Sequence, residues 1–168
     1  MKRLFSLLCA CALLLTAAAC QKPNAPADDA QQPAAPQTET VSLYLPDGEA
    51  MYVIPTDMEL TQEDDMAEPL VNALISQGAL PTEAAVNRCT VQDGSITLDM
   101  NDGYAAALAQ NGTAGETMLL AALVDTFLDY YDAQSLTLTA EGAIIETGHA
   151  IYDQPFTELF ATEADAPA

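Results

Sequence analysis

The sequence predicts an α+β domain in two layers, with a mainly antiparallel sheet of three hairpins and two helices packed on one of its faces. Three observations lead there. Alternating apolar and polar runs flank turn dipeptides at Asp47-Gly48, Asp93-Gly94 and Glu141-Gly142, which is how a hairpin reads in sequence. Each interval between these turns holds a segment whose apolar residues recur at helical spacing. Half of the 168 residues are hydrophobic, enough to build the core of one domain.

The first hairpin is "VSLYLPDGEAMYVI", where Pro46 beside the turn leaves the loop type open. A helix follows in "MAEPLVNALISQG". Pro69 lacks a backbone donor and is tolerated in a first turn, so the helix starts near Met66 and stops at Gly78. Leu70, Ala73, Leu74 and Gln77 form its inner stripe. The second hairpin, "NRCTVQDGSITLDM", is the cleanest. With Asp93-Gly94 as a two-residue turn, Val91 faces Ile96, Cys89 faces Leu98 and Arg88 faces Asp99, which turns Cys89 toward the core and sets up a cross-strand Arg88–Asp99 pair. The second helix is "TAGETMLLAALVDTFLDYY". Here Thr113 and Glu116 have the spacing of a capping box, Leu120, Leu123, Val124, Phe127 and Tyr131 form the apolar stripe, and Ala122, Asp125 and Asp129 fall opposite. "SLTLTAEGAIIE" closes the series with Leu138 across from Ile145. The turn glycines at 48, 94 and 142 repeat a supersecondary plan without repeating sequence.

The folded domain therefore runs over 41–160, followed by a disordered tail at 161–168. Before it lie two segments of other character. Residues 1–19 read as an export signal, with Met1-Lys2-Arg3, an apolar run from Leu4 to Leu15 and small residues up to Ala19. That run is too short to span a membrane, which takes about 20 apolar residues. Ala17-Ala18-Ala19-Cys20 resembles the lipobox of bacterial lipoproteins, although Ala17 stands where Leu is commonest. The resemblance implies a diacylglyceryl group on the Cys20 sulfur and cleavage just before it. Cys9 and Cys11 would leave with the signal. Residues 20–40 then form a lipidated cysteine and a disordered Pro/Ala/Gln linker, too poor in apolar surface to order itself. A flexible tether of that length spans roughly 25 Å, beyond the Debye length of about 8 Å at physiological salt, so it holds an acidic domain clear of anionic headgroups.

Four Lys and Arg stand against 25 Asp and Glu. Loss of Lys2 and Arg3 with the signal leaves two cations against 25 carboxylates, a net charge of −23. Nucleic acid is excluded as a partner, because its binding rests on Lys and Arg displacing counterions from phosphates. Direct electrostatic attraction to anionic lipid is excluded likewise, so the membrane is reached through the lipid on Cys20.

The side chains suited to chemistry do not assemble. His149, the only histidine, sits in a Gly148-His149 loop without a second metal ligand nearby. Cys89, the one thiol besides Cys20 after cleavage, lacks the base and thiolate-stabilising neighbour that a nucleophile needs. "DMNDG" at 99–103 fails as an EF-hand, since glycine falls at position five and Gln110 occupies position twelve. Glu63-Asp64-Asp65 suits the positive start of the first helix. Tyr44, Tyr52, Tyr104, Tyr130, Tyr131 and Tyr152 read as core or rim packing before they read as a sugar-stacking groove. The sequence thus predicts no catalytic residue, no metal site and no cofactor.

Several features together resemble the GerMN domain of sporulation and spore-germination proteins and of other bacterial envelope lipoproteins. They are the Leu43-Tyr44-Leu45 strand, Val53-Ile54-Pro55, Asp93-Gly94 followed by Leu98-Asp99, the helix around Leu123-Val124, and Gly142 before a strand. The resemblance covers roughly residues 41 to 156. Gly78-Ala79-Leu80-Pro81 departs from the family's Gly-Pro after the first helix, and the next loop lacks its Pro-Ile-Pro run. What the resemblance implies is an extracytoplasmic module for assembly or envelope contacts, with no catalytic residues to carry over. Two readings follow: a lipid-anchored interaction module that meets an envelope protein or itself, and a lipoprotein that captures a cell-wall fragment, a small molecule or a divalent cation.

Overall fold

The computed structural model describes residues 37–157 and Phe160. The signal segment, Cys20, the linker up to residue 36 and the tail at 161–168 lie outside the described residues. The domain is α+β, with three helices and two sheets.

Strands β1 (Thr38–Pro46) and β2 (Val53–Thr61) pair antiparallel as a sheet of their own. Thr38, Glu39 and Thr40 thus belong to a strand and not to the linker, because Thr61, Leu60 and Glu59 pair with them. The connection is a six-residue loop rather than a tight Asp47-Gly48 turn. Asp47 Oδ1 accepts from the amides of Met51 at 2.7 Å and Tyr52 at 3.3 Å, organising the loop from its first residue.

Helix α1 (Ala67–Ser76) starts where Pro69 requires and ends before Gly78, whose φ of +74° is the left-handed value that closes a helix. Leu70, Ala73 and Leu74 are buried, whereas Gln77 is exposed at the C-cap and leaves the inner stripe. Strands β3 (Val86–Gln92) and β4 (Ser95–Met100) have the expected register: Val91 faces Ile96, Cys89 faces Leu98 and Arg88 faces Asp99. Asp93 and Gly94 take φ of 50° and 73°, as a type I′ turn demands.

The next element is one the sequence reading lacks. Helix α2 (Asp102–Gln110) opens inside the "DMNDG" stretch. Asn101 is its N-cap, with Oδ1 accepting from the Tyr104 amide at 3.2 Å. Helix α3 (Gly112–Tyr130) follows after the single residue Asn111. The Thr113–Glu116 capping box does not form, because Asn111 is the N-cap and Glu116 is drawn inward by Thr147 and Tyr152. Every residue from Leu120 to Leu128 is buried, so Ala122 and Asp125 do not face solvent. A helix apolar nearly all round is an interior helix. On one side α3 meets β1, and on others α1, α2 and β5 (Ser135–Ala140).

Strands β6 (Ala143–Glu146) and β7 (Ile151–Tyr152) complete the second sheet, ordered β3-β4-β5-β6-β7. Thr139 faces Ile144 and Ala140 faces Ala143, the register that sets Leu138 across from Ile145. The β4–β5 pair is parallel, and α2 with α3 forms the crossover such a pair requires. The plan of three hairpins in one sheet with two helices on it is therefore refined. The first hairpin stands apart and packs on α3, and three helices accompany a mixed sheet.

Candidate interaction surface

Two grooves lie on either side of the segment joining β2 to α1. The first, about 450 Å³, runs between β2 and α1, with Met58, Leu60, Pro69 and Ala73 along it and Glu63 and Glu68 at its rim. The second, about 360 Å³, lies between that segment, β3 and the end of α3, and is lined by Met66, Cys89, Val91, Tyr130 and Tyr131 together with Glu63, Asp64 and Asp65. Glu63 borders both. The local sequence explains the ridge between them. Asp65 Oδ1 accepts from the Ala67 amide at 3.0 Å, satisfying a free donor at the helix start, and the Glu63 amide donates to Met66 Sδ at 3.3 Å. Of the acidic triplet, Asp65 supports the start of α1 through its side chain, as its placement in the sequence suggests.

Tyr130 and Tyr131 meet edge-on with ring centroids 4.8 Å apart. The Tyr130 hydroxyl donates to Glu39 Oε1 at 2.8 Å, and burial with that hydrogen bond and charge pushes its pKa up to about 12. Cys89 is only half-buried, at the groove wall and not inside the core. Burial, then the charge of Asp65, push its thiol up to about 11 against a smaller opposing hydrogen bond from Tyr131. That is the reverse of an activated nucleophile.

On the other face of the second sheet the residues are polar. Thr90, Thr97 and Thr137 form one cross-strand row, and Arg88, Asp99 and Thr139 the next. The Asp99 carboxylate is held below the usual range mainly by Thr139, whose hydroxyl donates at 2.6 Å. Burial opposes this, the Gly142 amide at 2.7 Å and Asn87 assist, and Arg88 contributes least. The expected Arg88–Asp99 pair is therefore a register neighbour whose direct hydrogen bonds come from elsewhere.

Three polar residues of α3 are buried. Thr126 Oγ1 accepts from the Tyr44 amide at 3.0 Å, fastening β1 to the helix. Asp125 accepts from the Phe160 amide through both oxygens at 3.1 Å. Glu116 Oε1 accepts from Thr147 Oγ1 at 2.6 Å and Tyr152 hydroxyl at 2.5 Å, while Oε2 is buried without a partner. Sequence reasoning missed these roles by assigning Glu116 to a cap and Asp125 to a solvated side. The signal was present in the run from Leu119 to Leu128, too apolar for a one-sided helix.

Cys20 lies outside the described residues. His149 is exposed in the β6–β7 connection, its amide donating to Thr147 Oγ1 at 3.1 Å. Tyr104 is in the core, its hydroxyl donating to the Leu119 carbonyl at 3.2 Å. Among the described residues no group of three or more His, Cys, Asp or Glu side chains is placed to hold a metal ion, and no helix is long and apolar enough to cross a membrane.

A family model described as Germane, sporulation and spore germination, matches residues 42–146. Among solved structures, the chain is similar to the tandem GerMN domains of the sporulation protein GerM from Bacillus subtilis. The TM-score is 0.60 at 17% identity, covering 72% of this chain and 46% of that one. The first GerMN domain of the same protein gives 0.56 at 17% identity, covering 76% of this chain and 99% of that one. The chain thus spans about half the length of the tandem structure and nearly all of the single domain. No curated protein matches in sequence.

Proposed function

This chain belongs to the sporulation and spore germination (GerMN) family, and on that premise we propose that it is a non-catalytic interaction or assembly module, lipid-anchored through Cys20 outside a bacterial membrane. The observation that carries the reading is the pair of apolar-floored grooves meeting at Glu63. The groups bordering them include one thiol with a raised pKa and several carboxylates, with no histidine or lysine among the described residues beside them to make an acid–base pair. What this surface offers is area and charge, the ingredients of recognition.

The anchor rests on the seam at Cys20, where an apolar run ending in three alanines gives way to "QKPNAPADDAQQPAAPQ". Two acyl chains on one residue anchor stably, at roughly 0.8 kcal/mol per buried methylene. Metabolic labelling with a fatty-acid analogue tests this directly. Wild type takes up label and sediments with membranes, and Cys20→Ser does neither. Crosslinking in intact envelopes tests the module. Recovery of a protein partner or of a self-contact supports it, and recovery of neither overturns it.

A second reading, capture of a small ligand such as a wall fragment, draws on Tyr130 and Tyr131 beside carboxylates in the second groove. A thermal-shift screen separates the two, since a ligand well above its dissociation constant raises the melting temperature.

A further inference from the structure

We infer that the two grooves flanking Glu63 form one docking surface for a segment of another protein that carries Lys or Arg between apolar side chains. The inference rests on the interaction-module reading and adds to it where the partner sits and what chemistry it presents.

The apolar part of the argument is the floor. Leu60 and Met58 on β2 are half-buried and share the first groove with Pro69 and Ala73 of α1, and Val91 at the second groove is 43% exposed. These side chains line concavities and do not stand singly on a convex surface, which is the arrangement that a partner's side chains fill. Because Glu63 borders both grooves, an occupant seated in one passes directly to the other.

Charge decides which occupant. Glu63, Asp64, Asp65 and Glu68 form the rim. The one Lys or Arg among the described residues, Arg88, immediately precedes Cys89 in β3, and adjacent strand residues point to opposite faces. Arg88 borders the polar face with Asp99 and Thr139, so it does not compensate the rim. A second copy of this chain would bring another strongly acidic surface against it, and nucleic acid would bring phosphates. Both are disfavoured by like charge. A cationic segment gains from the same field, which also speeds its encounter. Apolar flanks distinguish it from a diffuse polycation, because charge alone leaves the floor in contact with water.

Nuclear magnetic resonance titration of the labelled full-length mature protein in detergent tests the inference. The probe is a blocked peptide of alternating leucine and lysine. Its counterpart with glutamate for lysine and an oligolysine of equal charge are the controls. The expected result is saturable shifts at the amides of Leu60, Met66 and Val91 with the Leu/Lys peptide only. Affinity should drop about tenfold from 50 to 500 mM salt as the field is screened. Glu63→Gln with Asp64→Asn, or Val91→Ser alone, should each weaken it about fivefold or more, while Glu49→Gln with Asp153→Asn, which removes equal charge elsewhere, should not. Unchanged melting temperatures certify that the variants are folded.

Equal binding of oligolysine, saturation centred on Thr90, Thr97 and Thr137, or no saturable binding overturns the inference. Its failure is separable from that of the module reading. A partner crosslinked in envelopes through residues outside these grooves sinks the docking surface and leaves the module. Tight peptide binding with no envelope partner recovered does the opposite.

Discussion

The hydroxyl of Tyr152 on β7 donates to Glu116 Oε1 on α3 at 2.5 Å, so a two-residue edge strand is fastened to the interior helix by a carboxylate that is only 2% exposed. Burial pushes the Glu116 carboxyl upward, but the hydroxyls of Thr147 and Tyr152 and the charge of His149 together hold it below its usual value.

Tyr152→Phe is expected to destabilise the domain by about 2 kcal/mol at neutral pH, the scale of a hydrogen bond to a charged group. A group whose folded pKa is lowered contributes above the unfolded carboxylate range and loses that contribution as pH falls through the folded value. The gap between wild type and Tyr152→Phe in urea unfolding should therefore narrow in acid. A gap that is absent at pH 7, or constant down to pH 3, would count against the fastening.

Asp125 gives the opposite slope. Burial raises it to about 7, against a smaller downward pull from the Phe160 amide. Between about pH 4 and pH 7 the folded chain therefore holds a proton that the unfolded chain has lost. Its contribution is most favourable below that window and declines as pH rises through it. Asp125→Asn lacks the ionisation, so the melting temperature of wild type minus that of the variant should fall steadily from pH 4 to 7. Parallel profiles would sink the prediction.

Gly103 sits in the first turn of α2, where an added Cβ would lie 2.4 Å from the Glu83 carbonyl oxygen. Backbone cannot move aside as a side-chain tip does, so Gly103→Ala is expected to cost about 1–3 kcal/mol despite alanine's better helix propensity. Gly48 has no neighbour within 4 Å of the same position and no left-handed φ, and Gly48→Ala should be near neutral. Chemical denaturation of the two variants side by side decides it.

Thr139→Val removes the closest donor to Asp99, and Arg88→Gln removes a charge that contributes least to it. The first is expected to cost about 1 kcal/mol and the second less than about 0.5 kcal/mol. The reverse order would restore the cross-strand pair as the dominant partner.

The hairpin at Asp93-Gly94 was legible to the residue, since a two-residue turn fixes register and register fixes every facing pair. Helix α1 was equally legible, bounded by Pro69 and Gly78. Helix α2 was not, because "DGYAAALAQ" has a weak apolar stripe and its cap, Asn101, lies in a stretch that also resembles part of a cation loop. The separate placement of the first hairpin was hidden for another reason. Alternation shows which face of a strand is buried, but not whether a sheet or a helix covers it. The grooves beside Glu63 depend on how β2, α1 and β3 meet, which no local pattern carries.

The enclosure of α3 has a further consequence. From Leu120 to Leu128 a helix surrounded by β1, α1, α2 and β5 presents no free flank, so the most apolar stretch of the domain serves as foundation, and the exposed positions fall to the helix ends, the peripheral strands and the connections. Substitutions at the periphery are thereby free to change the surface without loosening the frame. One scaffold of this kind suits relatives that differ widely in sequence.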